Sequence, residues 1–184
     1  MRWTVPNILT ILRLLAAPAV LLVFLILPRP AADWAACLLF LGASVTDWFD
    51  GYLARAWGQQ TRLGTMLDPI ADKAIVIIAL AALIGLGGHD ALIVLPAAVI
   101  LFRETFVSGL REFLGDTAGT LKVTKLAKWK TTVQMVAIAL LFVSGIAEHG
   151  AIWYGGVALL WVAAVLTFLT GLDYFNKARP YLKD

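Results

Sequence analysis

Apolar runs of about twenty residues recur along this chain between short polar breaks, and that leaves few folds open. A helix of that length matches the thickness of a bilayer's hydrocarbon core. In lipid the backbone must satisfy its own hydrogen bonds, which favours helices. The predicted fold is therefore all-α: a polytopic membrane protein with six transmembrane helices, as a single domain over residues 1–184. Spans are expected from about Ile8 to Leu27, Trp34 to Ala54, Asp68 to Gly87, Ala91 to Leu110, Lys130 to Gly145 and Ile152 to Leu172. The composition agrees, with 61% hydrophobic and 15% charged residues, where a soluble domain has about half and about a quarter.

The first run follows a basic start, as a secretory signal does. It is long for a signal core and more spans follow, so it reads as a retained helix. Pro18 is expected to kink it. Arg13 lies within it and has two readings, snorkelling to headgroups or contact with a phosphate or nucleotide. Pro28-Arg29-Pro30 ends this span, Trp57 to Leu63 forms a polar turn, and Gly87 to Asp90 and Glu148-His149 form the other turns on the side of Arg29. Asp68, followed by Pro69, is expected to cap the third helix. Six crossings place both termini on one side. Arg29 is the one Lys or Arg on the opposite face, so the positive-inside bias puts both termini in the cytosol. Lys122, Lys125 and Lys128 recur every third residue as a basic face before span five. The net charge of +3 is explained by topology and anionic lipid heads, so the bilayer is the expected partner and nucleic acid is not. Cys37, the one cysteine, falls inside a span and reads as small apolar filler.

Against this apolar background one stretch stands out. Asp47, Asp50, Asp68 and Asp72 supply four of the twelve acidic residues. Asp47 and Asp50 share a helical face, with Gly51 and Ala54 beside them. Those two small residues leave room for a flat group. Asp68 and Asp72 share a face on the next helix, with Gly64 one turn earlier. Span lengths put both pairs at the cytosolic ends of their helices, at similar depth. Ionisable groups there are costly and usually functional. Four carboxylates form a hard-oxygen cage suited to Mg²⁺ or Mn²⁺.

Asp47, Asp50, Gly51, Ala54, Arg55, Gly64, Asp68 and Asp72 fill every fixed position of a spaced signature. In this the chain resembles the CDP-alcohol phosphotransferase family. The resemblance implies a donor, CDP-diacylglycerol, and CMP as leaving group. It also implies two divalent cations held by Asp47, Asp50, Asp68 and Asp72, with Asp72 also the general base. Gly51, Ala54, Arg55 and Gly64 would lie against CDP. Asn7 and Thr10, in the segment PNILTILR, join them. A homodimer is implied as well. The expected setting is a bacterial cytoplasmic membrane with the active site on the cytosolic side.

The acceptor is read from cations further along. Arg103 and Arg111 are eight residues apart, close to one helical stripe, and Lys128 and Lys130 lie near the start of span five. Glu104 and Glu112 are candidate partners for the two arginines. Several such cations suit a phosphorylated alcohol. The segments RETFVSGLREF and KWKTTVQM resemble the branch of the family whose acceptor is glycerol 3-phosphate. Span six and the tail add little to the likeness. Two rivals are a family enzyme using serine or inositol phosphate, and a divalent cation transporter. The transporter leaves Gly51, Ala54, Arg55 and Gly64 unexplained.

Overall fold

The computed structural model describes residues 4–56, 61–115, 125–147 and 150–182, with the side chains of 48–56 and 125–128 outside the description. The described residues form six long helices: α1 (Val5–Ile26), α2 (Ala31–Ala56), α3 (Arg62–Gly87), α4 (Ala91–Leu114), α5 (Lys125–Ala147) and α6 (Gly150–Ala178). A 3₁₀ turn, Arg179–Leu182, follows α6. Among the described residues α1, α3, α4, α5 and α6 are each long and apolar enough to cross a membrane. The described side chains of α2 end at Asp47.

Helix starts follow local chemistry. Thr4 caps α1, its hydroxyl accepting from the Asn7 amide, with Pro6 in the first turn. Asp90 caps α4, its carboxylate accepting from the Leu92 amide at 2.9 Å. The preceding Gly88 adopts φ +62°, a left-handed turn conformation that favours glycine. One expected cap is corrected. Asp68 does not begin α3. Thr61 does, its hydroxyl accepting from the Gly64 amide at 3.0 Å, and Pro69 lies inside the helix. A threonine two positions before the apolar run satisfies the orphan amides two turns earlier than Asp68 would. The polar turn is correspondingly shorter, and both carboxylates of α3 sit on its side and not at its tip.

α1 packs against both α2 and α3, α5 against α6 and α2, and α4 against α6. Small buried residues make these approaches close: Ala17, Ala36, Ala43, Ala79, Ala97, Ala137 and Ala163. At Gly156 an added Cβ would sit 2.9 Å from Leu141 Cγ, so α5 and α6 meet over a missing side chain. Phe142 anchors the centre, stacked on Phe24 at 5.9 Å and edge-on to Phe40 at 6.1 Å. Large apolar side chains such as Leu15, Leu25, Leu38, Phe102 and Phe113 are exposed on the outside, as lipid contact requires.

Candidate active site

The acidic signature and the helices that face it converge at one end of the bundle. Asn7, Thr10 and Arg13 recur every third residue along α1, so they form one stripe, and all three are buried. Each meets a neighbour. Asn7 Oδ1 accepts from the Thr61 hydroxyl at 2.7 Å. Thr10 donates to Asp68 Oδ1 at 2.8 Å. Arg13 Nη1 donates to Asp47 Oδ1 at 2.6 Å and also to Asp72 Oδ1. One guanidinium thus ties a carboxylate of α2 to a carboxylate of α3. The snorkelling reading of Arg13 is corrected: its side chain is 1% exposed and paired inside the bundle. A buried guanidinium is costly unless paired, and two aspartates supply the partners. Asp47 and Asp72 remain about half exposed.

Gly64 has a packing reason for being glycine. A Cβ there would lie 2.9 Å from Asn7 Oδ1, so the residue lets α1 and α3 close around the Asn7–Thr61 contact. Asp50, Gly51, Ala54 and Arg55 lie on the helical backbone of α2, but their side chains are outside the described residues. Among the described residues no group of three carboxylates is placed to hold a cation. The donor atoms themselves are of the kind a hard dication takes. Asp47, Asp68 and Asp72 bring only hard oxygens, from two helices, to one buried polar stripe.

A second cluster adjoins the first. A cavity of about 180 Å³ is lined by Lys73, Arg103, Glu104, Ser108, Arg111 and Lys130, with Val107 and Thr131. Four of these side chains are cationic and one is a carboxylate. Glu104 Oε1 accepts from Arg103 at 3.0 Å and from Lys130 Nζ, so it fixes a cation of α4 beside one of α5. Ser108 accepts from Lys73 and donates to the Glu104 carbonyl at 2.6 Å. Arg103 also has a buried Nε–H with no acceptor among the described residues, and such a group seeks one. Of the expected cationic set, Arg103, Arg111 and Lys130 are brought together here. The side chain of Lys128 lies outside the described residues, as does the side chain of Lys125 and all of Lys122.

Several contributors escaped the sequence reading. Lys73 follows Asp72 directly, and one step on a helix turns the side chain by about 100°. Asp72 therefore faces Arg13 while Lys73 reaches Ser108 and the cationic cavity. The signal was available, since a lysine within an apolar span is as unusual as an aspartate. α6 matters more than its sequence indicated. The Arg111 guanidinium lies 5.2 Å over the Tyr174 ring, and a Cβ on Gly171 would come within 2.9 Å of Arg103 Cγ. No local pattern announces such contacts, which depend on how α6 packs on α4. A larger cavity of about 470 Å³ opens at the other end of the bundle, beside Arg29, Ser144 and Trp153. It holds none of the motif's carboxylates, and volume alone does not place a site.

Two groups thus lie side by side at one bundle end, a carboxylate set suited to cations and a cationic cavity suited to an anion. Residues 3–169 match the model of the CDP-alcohol phosphatidyltransferase family. The chain belongs to this family. It is 54% identical to a protein of Cereibacter sphaeroides named CDP-diacylglycerol–glycerol-3-phosphate 3-phosphatidyltransferase, with 100% of the chain and 99% of that protein covered. It is 43% identical to the Escherichia coli K12 protein of the same name, with both chains covered in full. Family membership accounts for the spaced aspartates.

Proposed function

We propose that this chain transfers the phosphatidyl group of CDP-diacylglycerol to glycerol 3-phosphate, giving phosphatidylglycerophosphate and CMP. Full-length similarity to two bacterial enzymes of that name supports it. The carrying observation in the molecule is the cavity with three more cations than carboxylates, one residue away from Asp72. Asp47, Asp50, Asp68 and Asp72 would hold two divalent cations, Mg²⁺ or Mn²⁺, which would supply positive charge against the donor's pyrophosphate and the departing CMP.

The chain's own residues supply position and proton transfer. Gly51, Ala54 and Arg55, with Asn7, Thr10 and Gly64, form the wall on which CDP lies. The acyl chains stay in the bilayer while the diphosphate reaches the bundle end. Arg103, Arg111, Lys128 and Lys130, joined by Lys73, bind the phosphate of glycerol 3-phosphate, which carries about two negative charges. Asp72 accepts the proton of the acceptor's 1-hydroxyl. That oxygen then bonds to the β-phosphorus, and the bond from this phosphorus to the bridging oxygen breaks. CMP leaves with the bond's electron pair. Most of the acceleration comes from positioning and charge stabilisation, as in other phosphoryl transfers.

The bundle crosses a bacterial cytoplasmic membrane six times with both termini and the active site on the cytosolic side, and it works as a homodimer. The acceptor is tested by incubating the purified protein in lipid with CDP-diacylglycerol, Mg²⁺ and one alcohol at a time. CMP release is expected with glycerol 3-phosphate. Release with serine or inositol phosphate, and none with glycerol 3-phosphate, would overturn the assignment.

A further inference from the structure

The aspartates of the signature do not stand alone. Each one whose side chain is described is held by the same stripe of α1. Thr10 takes Asp68, and Arg13 takes both Asp47 and Asp72. These bonds use one oxygen, Oδ1, of each carboxylate, and a carboxylate has a second oxygen to offer a cation. Asp47 belongs to α2 and Asp72 to α3, so no single helix fixes their separation. One nitrogen of Arg13 does. Two carboxylates brought to one nitrogen lie close together, and negative charge on both is favourable only with a cation beside them. Carboxylates that ligate metals are commonly oriented by such outer hydrogen bonds, whose loss weakens binding.

We infer that Arg13 is a positioning residue for the metal site: its guanidinium sets the spacing of Asp47 and Asp72 so that their remaining oxygens meet a divalent cation, and Thr10 does the same for Asp68. This rests on the metal reading given above. It makes α1 a structural part of the metal centre, although it contributes no ligand. It also gives Arg13 a sign that simple charge does not. As a bare positive charge it would oppose a dication, and its removal would tighten binding. As an orienting group, its removal loosens binding.

The test is direct Mn²⁺ binding to full-length protein in nanodiscs without donor or acceptor, by calorimetry and by the electron paramagnetic resonance signal of free Mn²⁺. Thermal unfolding is measured alongside. Arg13→Gln is expected to weaken Mn²⁺ binding by about ten-fold to a hundred-fold. Arg13→Lys, which keeps one nitrogen able to meet both carboxylates, should recover part of the loss, and raised Mn²⁺ should restore its turnover. Thr10→Val, close in shape, should cost a few-fold. Equal or tighter Mn²⁺ binding by Arg13→Gln, or a lowered unfolding temperature with unchanged Mn²⁺ affinity, overturns the inference. Should Arg13→Gln not fold, wild-type affinity in both Arg13→Lys and Thr10→Val does so. Absence of saturable Mn²⁺ binding by the wild type overturns the metal reading itself and this role with it.

Discussion

Asp72 has the most demanding position in the proposed site, since it meets Arg13, precedes the cavity-lining Lys73, and on that reading receives a proton. Asp72→Asn should lower the rate of CMP release by about a hundred-fold or more, the usual scale for a lost general base, while CDP-diacylglycerol binding in a lipid pull-down is largely kept. A parallel loss of binding would make it mainly a ligand. Asp47→Asn, Asp50→Asn and Asp68→Asn should each abolish turnover without affecting membrane insertion. Glu104 offers a different test. Its carboxylate holds Arg103 and Lys130 together, and a hydrogen bond to a charged group contributes about 1.5–3 kcal/mol. Glu104→Gln should therefore raise the acceptor KM about ten-fold with little change in the donor KM. The aspartates were legible at this scale because charge in an apolar run is rare and their spacing is helical. The partners of Arg13 were not, since two separate helices must dock before its guanidinium has anything to hold.

Among the elements, α6 departs most from what its sequence conveyed. It looks like an ordinary apolar span, yet Tyr174 lies under Arg111 and Gly171 admits Arg103. Tyr174→Leu removes a cation–π contact of about 0.5–2 kcal/mol and should raise the acceptor KM several-fold, whereas Tyr174→Phe keeps the ring and should stay near wild type. Steady-state kinetics with the acceptor varied separates the two. Gly156 reports on packing alone. Gly156→Val should destabilise the bundle by about 1–3 kcal/mol through overpacking against Leu141, read as a lower unfolding temperature with unaltered KM values in the folded fraction. Helix existence and order were legible from hydropathy, with the six runs expected matching six helices. The start of α3 was not, because Asp-Pro and Thr61 both present capping chemistry and local sequence does not rank them. Only the structure shows Thr61 bonded to both Gly64 and Asn7.

For the whole molecule, the proposed six-span arrangement predicts a labelling pattern. Accessible tags at His89 and Glu148 should react from outside intact cells, and tags at Gln60, Gly119 and the C-terminus only after the membrane is opened. External labelling at Gly119 would contradict the topology. The class of molecule was legible because apolar runs of bilayer length have few alternatives. The pairing of helices was not, since lipid-facing and bundle-facing apolar surfaces read alike. Leu38 is exposed while Phe40, two residues on, is fully buried, and nothing in their hydrophobicity separates them.

Asp72 and Lys73 are consecutive on one helix, so on the proposed reading the donor's diphosphate and the acceptor's phosphate would be served by adjacent faces of α3, at a separation that this helix sets. A single compound carrying a diphosphate mimic and a phosphonate on a brief tether should span both seats, and its two halves would engage with little added entropic cost. Such a bisubstrate inhibitor would gain selectivity from Lys73 and Glu104, which the aspartate signature does not specify, over enzymes that share only the aspartates.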